Sequence, residues 1–466
     1  MDQKNKMRHR INEISPSFCI AKWLQVTLDL VHGENHSCHH PLRQPISLSD
    51  LKEPSKMHNT DFKKARRKEM LEGVRPKECS YCWNIEDSSS TEISDRLIKS
   101  TDEWAYPHLK EVLKASDKEN INPTYMEVMF SKTCNLSCSY CMADISSSIE
   151  AEIKKFGPIP VQHEMHRSSQ KQIRYSDNPD KNPYLKAFWQ WFPDLIKDLE
   201  VFRITGGEPL LSENTFKVFD YLEAHPQPKL VLSINSNLSL PEHLIEKLFK
   251  KVENLLTKNA IAQFELYASI DTVGEQASFI RSGLCYQTFI QNIEKFCKKF
   301  PQSKCILMCT YNILSIPKFH LLLEELIRLK KDYKDIVLDI SYLKDPSYLS
   351  PKIINKPLLE KVNKDLVFMQ KNHEYFSDYE IGKFKRIYYW IKHAQDHTAY
   401  KYKPEMIDFY IFIKEFSKRK KKDFQQIFPE LAGFYNLTHK LFIEFQMDKN
   451  RKNNNQTDLP KAQKFI

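Results

Sequence analysis

The chain has 466 residues, 41% of them apolar, which is enough for two or three packed domains and more than one ordinary domain uses. No run of ~18 uncharged apolar residues occurs, so the sequence offers no membrane span, and the basic start MDQKNKMRHRINE lacks the apolar stretch of a secretory signal, which leaves a cytoplasmic address as the expectation. The net charge of +10 is concentrated at the end, where residues 401–466 hold 14 Lys and Arg against 8 Asp and Glu; the run Lys418–Lys422 reads as a solvated helix face, and nucleic acid is not expected as a partner.

Residues 1–115 read as a small α+β module. Leu24, Val26, Leu28 and Leu30 alternate with Gln25, Thr27 and Asp29, the pattern of a half-buried strand. His32-Gly33-Glu34-Asn35 follows as a turn and predicts a hairpin. A helix is predicted over Asp61–Glu72, stopped by Gly73 with Pro76 beyond it.

Residues 116–348 alternate between strand-like and helix-like segments. The predicted strands are Tyr125–Phe130, Leu199–Thr205, Lys229–Asn235, Gln263–Ile270, Lys304–Asn312 and Ile336–Leu343. Helices are predicted between them, at Tyr184–Leu199, Pro241–Leu256, Tyr286–Phe300 and Pro317–Lys331. Six βα units in series imply a parallel sheet curved toward a barrel, with its site at the carboxyl ends of the strands. Residues 142–183 read as a long polar insertion, the kind of segment that serves as a lid or binding loop. Residues 349–466 read as a helical extension rich in Lys and aromatics, disordered from Lys449. The expected class is therefore α/β: a partial (β/α)6 TIM-like barrel, preceded by a cysteine-rich α+β module and followed by a helical tail.

Eleven cysteines without an export signal point to metal or redox chemistry rather than disulfides. Cys285, Cys297, Cys305 and Cys309 sit in apolar periodic segments and read as small core hydrophobes. The other seven precede residue 142 in tight groups. Cys134-Asn-Leu-Ser-Cys138-Ser-Tyr-Cys141 follows the first barrel strand, and three thiolates at this spacing can hold an iron–sulfur cube with one iron left open for a ligand. A structural zinc site would instead call for four closed ligands. One βα unit later comes Arg203-Ile-Thr-Gly206-Gly207-Glu208-Pro209. Two of only nine glycines are adjacent there, where backbone must approach something closely, and Glu208 can offer a counter-charge to an ammonium. Asn235-Ser236-Asn237, Ser269 and Asp271 end later strands with polar groups. Arg281 can pair with a carboxylate through both arms of its fork, or else Asp271 caps a helix and Arg281 joins a surface ion pair. In the first module, Cys19, Cys38, Cys79 and Cys82 supply four ligands, which serve a closed cluster or a zinc ion equally well. His36, His39 and His40 then flank the site, and Trp83 shields it from water.

These motifs resemble the radical S-adenosylmethionine (radical SAM) superfamily, whose signature is CxxxCxxC with an aromatic residue before the third cysteine, here Tyr140. The resemblance implies a [4Fe–4S] cluster on Cys134, Cys138 and Cys141, with S-adenosylmethionine bound to the open iron and cleaved by one electron to a 5′-deoxyadenosyl radical. Gly206, Gly207 and Glu208 match the family's GGEP motif, which holds the methionyl amine; Asn235 and Ser269 match its ribose-binding positions, and Arg281 its carboxylate partner. No adenine-contacting motif is recognisable in Asp339–Leu343. The hairpin with a cysteine at each end, the Arg-rich helix and the Cys79-x-x-Cys82-Trp83 sequence resemble a twitch domain, the shorter relative of the SPASM domain. That implies an auxiliary [4Fe–4S] cluster, in a module that here precedes the barrel as in an N-terminal-twitch subgroup. The implied partners are a small-molecule or peptide substrate and a reductase, flavodoxin or ferredoxin as electron donor. The rival readings are a zinc-stabilised nucleic-acid-binding protein and an RNA-modifying radical enzyme.

Overall fold

The computed structural model describes residues 3–88, 93–162, 174–395 and 401–457. Nine strands form one sheet: β1 (Gln25–Asp29), β2 (Glu34–His36), β3 (Gln44–Pro45), β4 (Tyr125–Met129), β5 (Val201–Thr205), β6 (Gln227–Ser236), β7 (Ile261–Ser269), β8 (Lys304–Tyr311) and β9 (Ile336–Tyr342). Their spatial order is β9-β8-β7-β6-β5-β4-β1-β2-β3. From β4 to β9 every neighbouring pair is parallel, as serial right-handed crossovers require. With helices such as Glu242–Thr257, Tyr286–Lys299 and Phe319–Asp332 packed outside, this is a partial (β/α)6 barrel.

The predicted hairpin is present, and its first strand does more than expected. β1 runs parallel to β4 in continuous register from Gln25↔Tyr125 to Asp29↔Met129, so the N-terminal segment extends the barrel's own sheet. All five residues of β1 are buried, not only the apolar alternates, because the sheet is covered on both faces at this point. Val26, Leu28 and Leu30 join the main core, while Ile11, Phe18, Trp23, Met70, Trp83, Trp104 and Val112 form a second cluster of their own. The predicted helix spans Asp61–Leu71, capped by the Thr60 hydroxyl, which accepts from the Lys63 N–H, and it ends at Gly73 with φ +79°.

Three expectations need correction. The 142–183 insertion contains a helix, Ser147–Phe156, with Ser146 as N-cap and Gly157 at its end. Ile149, Ile153 and Phe156 are too few to register as a periodic face; residues 163–173 of the insertion lie outside the described residues. The stretch from Lys449 is helical as far as Thr457, the last part of Ala432–Thr457; residues 458–466 lie outside the described residues. Extending an existing helix needs no new nucleus, so a polar end can follow a packed beginning. Finally, Lys418–Lys422 is not a wholly solvated run. Arg419, whose side chain is 4% exposed, and Lys420 both pair with Glu152 of the Ser147–Phe156 helix, and Lys422 donates to the Ser278 carbonyl. Phe279 meets Phe416, Phe424 and Phe428, which fastens the helical tail beside the cysteine loop. Among the described residues no helix is long and apolar enough to cross a membrane.

Candidate active site

Cys134, Cys138 and Cys141 lie on the loop that leaves the carboxyl end of β4. The first is held by the start of the following helix: the Cys134 N–H donates to Ser147 Oγ (3.0 Å), and the Ser148 hydroxyl donates to the Cys134 carbonyl. The second is held across the barrel mouth, where Ser137 and Cys138 pair antiparallel with Ser282 and Arg281, and the Ser139 N–H donates to the Ile280 carbonyl (2.7 Å). The Cys141 N–H closes a turn onto the Cys138 carbonyl (3.1 Å).

The second motif docks directly on this loop. The Gly207 N–H donates to the Ser131 carbonyl (3.1 Å) and the Glu208 N–H to the Thr133 carbonyl (2.7 Å). A Cβ on Gly206 would stand 2.6 Å from the Ser131 oxygen, and one on Gly207 would meet the Lys132 and Thr133 carbonyls. The glycines are thus required by the neighbouring cysteine loop, where the sequence alone suggested close approach to a ligand.

Glu208 is 2% exposed. Its Oε1 accepts from Ser236 Oγ (2.9 Å) and the Leu210 N–H (3.2 Å), and its Oε2 from the Asn237 N–H (2.8 Å), which ties the end of β5 to the end of β6. Burial pushes its carboxyl up to about 7, against the pull of these three donors. Three donors leave a carboxylate with capacity for one more.

Arg281 is placed at the cavity, but its fork is already taken. Nε and Nη2 bond the two oxygens of Asp271 at 2.9 and 3.2 Å, so the carboxylate it grips is the protein's own. This ion pair is buried, not on the surface, and Asp271 makes no helix cap, since the next helix starts from Val273 without a side-chain cap. Asp271 also accepts from the Tyr140 hydroxyl (2.9 Å) and the Thr310 N–H (2.9 Å). Asp271, just past the end of β7, therefore holds both Tyr140 of the cysteine loop and Arg281 beside it, and is itself tied to β8 by the Thr310 N–H.

One cavity is lined by the three thiols together with Tyr140, Gly206, Gly207, Glu208, Asn235, Ser269 and Arg281. Of the residues expected at the site, all but Asp271, which stands behind Arg281, are therefore on the wall of the same space. Burial pushes all three thiols up, Cys138 to about 12 against the Arg281 charge beside it. Unliganded they are neutral, and only a bound cationic centre would make them thiolates.

Sequence reasoning missed Asp271 as a support, the Asn135–Asn237 side-chain bond (2.8 Å), and a charged pair inside the barrel. Glu127 of β4 and Arg203 of β5 approach at 3.8 Å, with Arg203 Nε on Asn235 Oδ1 (2.8 Å) and its guanidinium 3.7 Å from the centre of the Tyr267 ring. The available signal was a charge at the centre of an otherwise apolar strand, in YMEVM and VFRIT. His39 brings the N-terminal loop to the same place, 3.5 Å from Glu127.

A second cavity is lined by Cys19, Cys38, Cys79 and Cys82 with Lys22, Met70, Trp83, Asp95, Arg96 and Lys99. Burial holds the Cys38, Cys79 and Cys82 thiols up, Cys79 to about 12. His40 stacks on Tyr81 (3.6 Å between ring centres) and bonds Asp95 (2.7 Å), while His36 bonds the Cys38 carbonyl. Trp83 is buried and donates to the Pro76 carbonyl (2.8 Å). In both cavities the thiols border the space without meeting at a point: among the described residues no three His, Cys, Asp or Glu are set to hold a single metal ion. Of the remaining cysteines, Cys297, Cys305 and Cys309 are core residues as expected, whereas Cys285 is exposed at the start of the Tyr286–Lys299 helix, where Thr288 Oγ1 contacts its sulfur (3.1 Å).

Residues 128–329 match the family model described as the Radical SAM superfamily. Among solved structures, native anSMEcpe with bound AdoMet is 16% identical with a TM-score of 0.34; the match covers 53% of this chain and 60% of that one. Streptococcus suis SuiB bound to S-adenosylmethionine is 16% identical with a TM-score of 0.36, covering 76% of this chain and 70% of its own. The same protein bound to precursor peptide SuiA is 14% identical, with the same coverage and a TM-score of 0.37. No curated protein matches the chain.

Proposed function

We propose that the protein is a radical SAM enzyme that holds a [4Fe–4S] cluster on Cys134, Cys138 and Cys141 and cleaves S-adenosylmethionine there, as the match of residues 128–329 to that superfamily supports. The single observation that carries this is the shared cavity: three thiols, the Gly206-Gly207-Glu208 turn and the strand-end polar groups line one space. The donor set fits the group, since three protein thiolates leave one iron open for an amino acid head group. When bound, the cluster and its cosubstrate supply one-electron cleavage of the sulfonium and abstraction of a hydrogen atom from the substrate.

The chain's own residues have separable tasks. Glu208, with one acceptor position left, binds the methionyl ammonium. Asn235 and Ser269 offer hydrogen bonds to the ribose hydroxyls. Arg281 neutralises Asp271 and sits beside Cys138, so it positions the loop. The N-terminal module holds an auxiliary [4Fe–4S] cluster on Cys19, Cys38, Cys79 and Cys82, with four ligands and therefore no open iron, which suits electron relay. Zinc is the competing occupant of those four thiols. The substrate is a small alcohol or a peptide, and a flavodoxin, ferredoxin or reductase supplies the electron.

Anaerobic reconstitution, an iron count and an assay for 5′-deoxyadenosine test the proposal. About eight irons per chain with turnover are expected, and about four irons without cleavage after Cys134, Cys138 and Cys141 are all replaced by Ala. A triple variant that still made 5′-deoxyadenosine would sink the assignment.

A further inference from the structure

Arg203 is not on the wall of the cofactor cavity, but it is bonded to a residue that is. Sheet register explains the contact. Arg203 stands directly across from Glu127 of β4 and from Ser233 of β6, so Asn235, two residues further along β6, is its diagonal neighbour on the same face. Asn235 in turn stands across from Tyr267 of β7. The Arg203 side chain, 11% exposed, crosses that diagonal: Nε donates to Asn235 Oδ1 (2.8 Å), and the guanidinium lies 3.7 Å from the centre of the Tyr267 ring. Charge anchors the same group from the other side. Glu127 lies 3.8 Å from Nη1, and its Oε1 accepts from the Tyr125 hydroxyl (2.8 Å) and meets His39 Nε2 (3.5 Å). Nη2 contacts the Met308 sulfur (3.1 Å).

A side-chain amide has two unlike ends, and a guanidinium distinguishes them. Arginine carries donors and no acceptor, so the Asn235 atom that faces it is the carbonyl oxygen, and the NH2 group is turned away. That NH2 has the Met308 sulfur at 3.5 Å, a weak acceptor, and bonds no oxygen among the described residues. Asn235 lines the cofactor cavity, and the capacity it has left is that of a donor, which a ribose hydroxyl oxygen can accept. An amide without such a partner could flip, and ordering it on binding would cost affinity.

We propose that Arg203 is a positioning residue for the cosubstrate: it fixes the Asn235 amide so that Asn235 acts as a hydrogen-bond donor to the ribose of S-adenosylmethionine. This rests on the ribose role given to Asn235 above, and the test separates the two.

The experiment measures equilibrium binding of S-adenosylmethionine to the full chain, reconstituted without oxygen and kept free of reductant so that no cleavage occurs. The second probe is S-methylmethionine, which carries a sulfonium and the same amino acid head group but no ribose. Asn235→Ala is expected to weaken S-adenosylmethionine about tenfold, the worth of one hydrogen bond, and to leave S-methylmethionine unchanged. Arg203→Met should weaken S-adenosylmethionine about fivefold, again without effect on S-methylmethionine. Because Arg203 acts through Asn235, the double variant should match Asn235→Ala alone, about tenfold, and not reach the product of about fiftyfold. Asn235→Asp keeps an acceptor for Arg203 but removes the NH2 donor, and should bind no better than Asn235→Ala.

The proposal is overturned if Arg203→Met binds S-adenosylmethionine like the parent, if it weakens both probes equally, or if the two effects multiply in the double variant. Parent-like binding by Asn235→Asp overturns it as well. If Arg203→Met does not fold or holds no iron, Arg203→Gln, which fills the space and can pair with either end of the amide, decides by the same criteria. Asn235→Ala that binds S-adenosylmethionine as tightly as the parent removes the ribose reading of Asn235 itself.

Discussion

The two cysteine sites use the same thiol chemistry in opposite surroundings. At the barrel mouth three thiols share their cavity with Glu208, Asn235, Ser269 and the Gly206-Gly207 turn, and Arg281 on its wall is already neutralised by Asp271. In the N-terminal module four thiols are enclosed by Met70, Trp83 and Ala21, with Lys22, Asp95, Arg96 and Lys99 on the same wall. The first arrangement keeps a place for a polar, exchangeable ligand. The second sets its thiols in mostly apolar surroundings, which suits the closed centre proposed for it. The difference teaches that the count of thiols sets what can bind, and the neighbouring charges set what the bound group can do.

The sharpest contrast is obtained by removing each set of ligands in turn. Replacing Cys79 and Cys82 by Ala should spare formation of 5′-deoxyadenosine yet abolish product, whereas loss of Cys134, Cys138 and Cys141 abolishes both; equal loss of cleavage in the two variants would break the division of labour. Gly207→Ala should cost about 100-fold in cleavage, since its Cβ meets the Lys132 and Thr133 carbonyls and displaces the cysteine loop. The check is turnover at matched iron content. Asp271→Asn leaves the Arg281 guanidinium buried without a counter-charge and should lower stability by about 3–5 kcal/mol, measured by urea unfolding of the apoprotein.

The smallest effect is a pH dependence at Glu208. Its carboxyl is held up at about 7 from an ordinary 4.5, so the folded apoprotein binds a proton that the unfolded chain has released. Stability should therefore fall as pH rises from about 4.5 to about 7 and be flat above, by on the order of 3 kcal/mol. Glu208→Gln should remove that slope. Unfolding curves that keep it in the variant would assign the titration to another group.

Most of the barrel was legible before any coordinates. Its six strands differ from the expected bounds by about two residues at most, because each is a β-branched or aromatic run between helices with one strongly apolar face. Cys134, Cys138 and Cys141 and the Gly206-Gly207-Glu208 turn were legible for a different reason: their chemistry depends on local spacing, which a sequence states directly. Short or polar elements were not legible. Ser147–Phe156 has too few apolar residues to declare itself, and the helical stretch past Lys449 continues from Ala432 with little signal of its own.

By itself, the sequence determined the order of the βα units, the thiol triplet and the four further cysteines, since these follow from periodicity and from neighbours along the chain. Only the tertiary structure decided what each charge faces. It alone put β1 beside β4, Arg281 on Asp271 and Arg419 on Glu152. A hydrogen bond or ion pair joins groups that are distant in sequence, and its partner is set by how sheets and helices stack, which no local pattern of residues encodes.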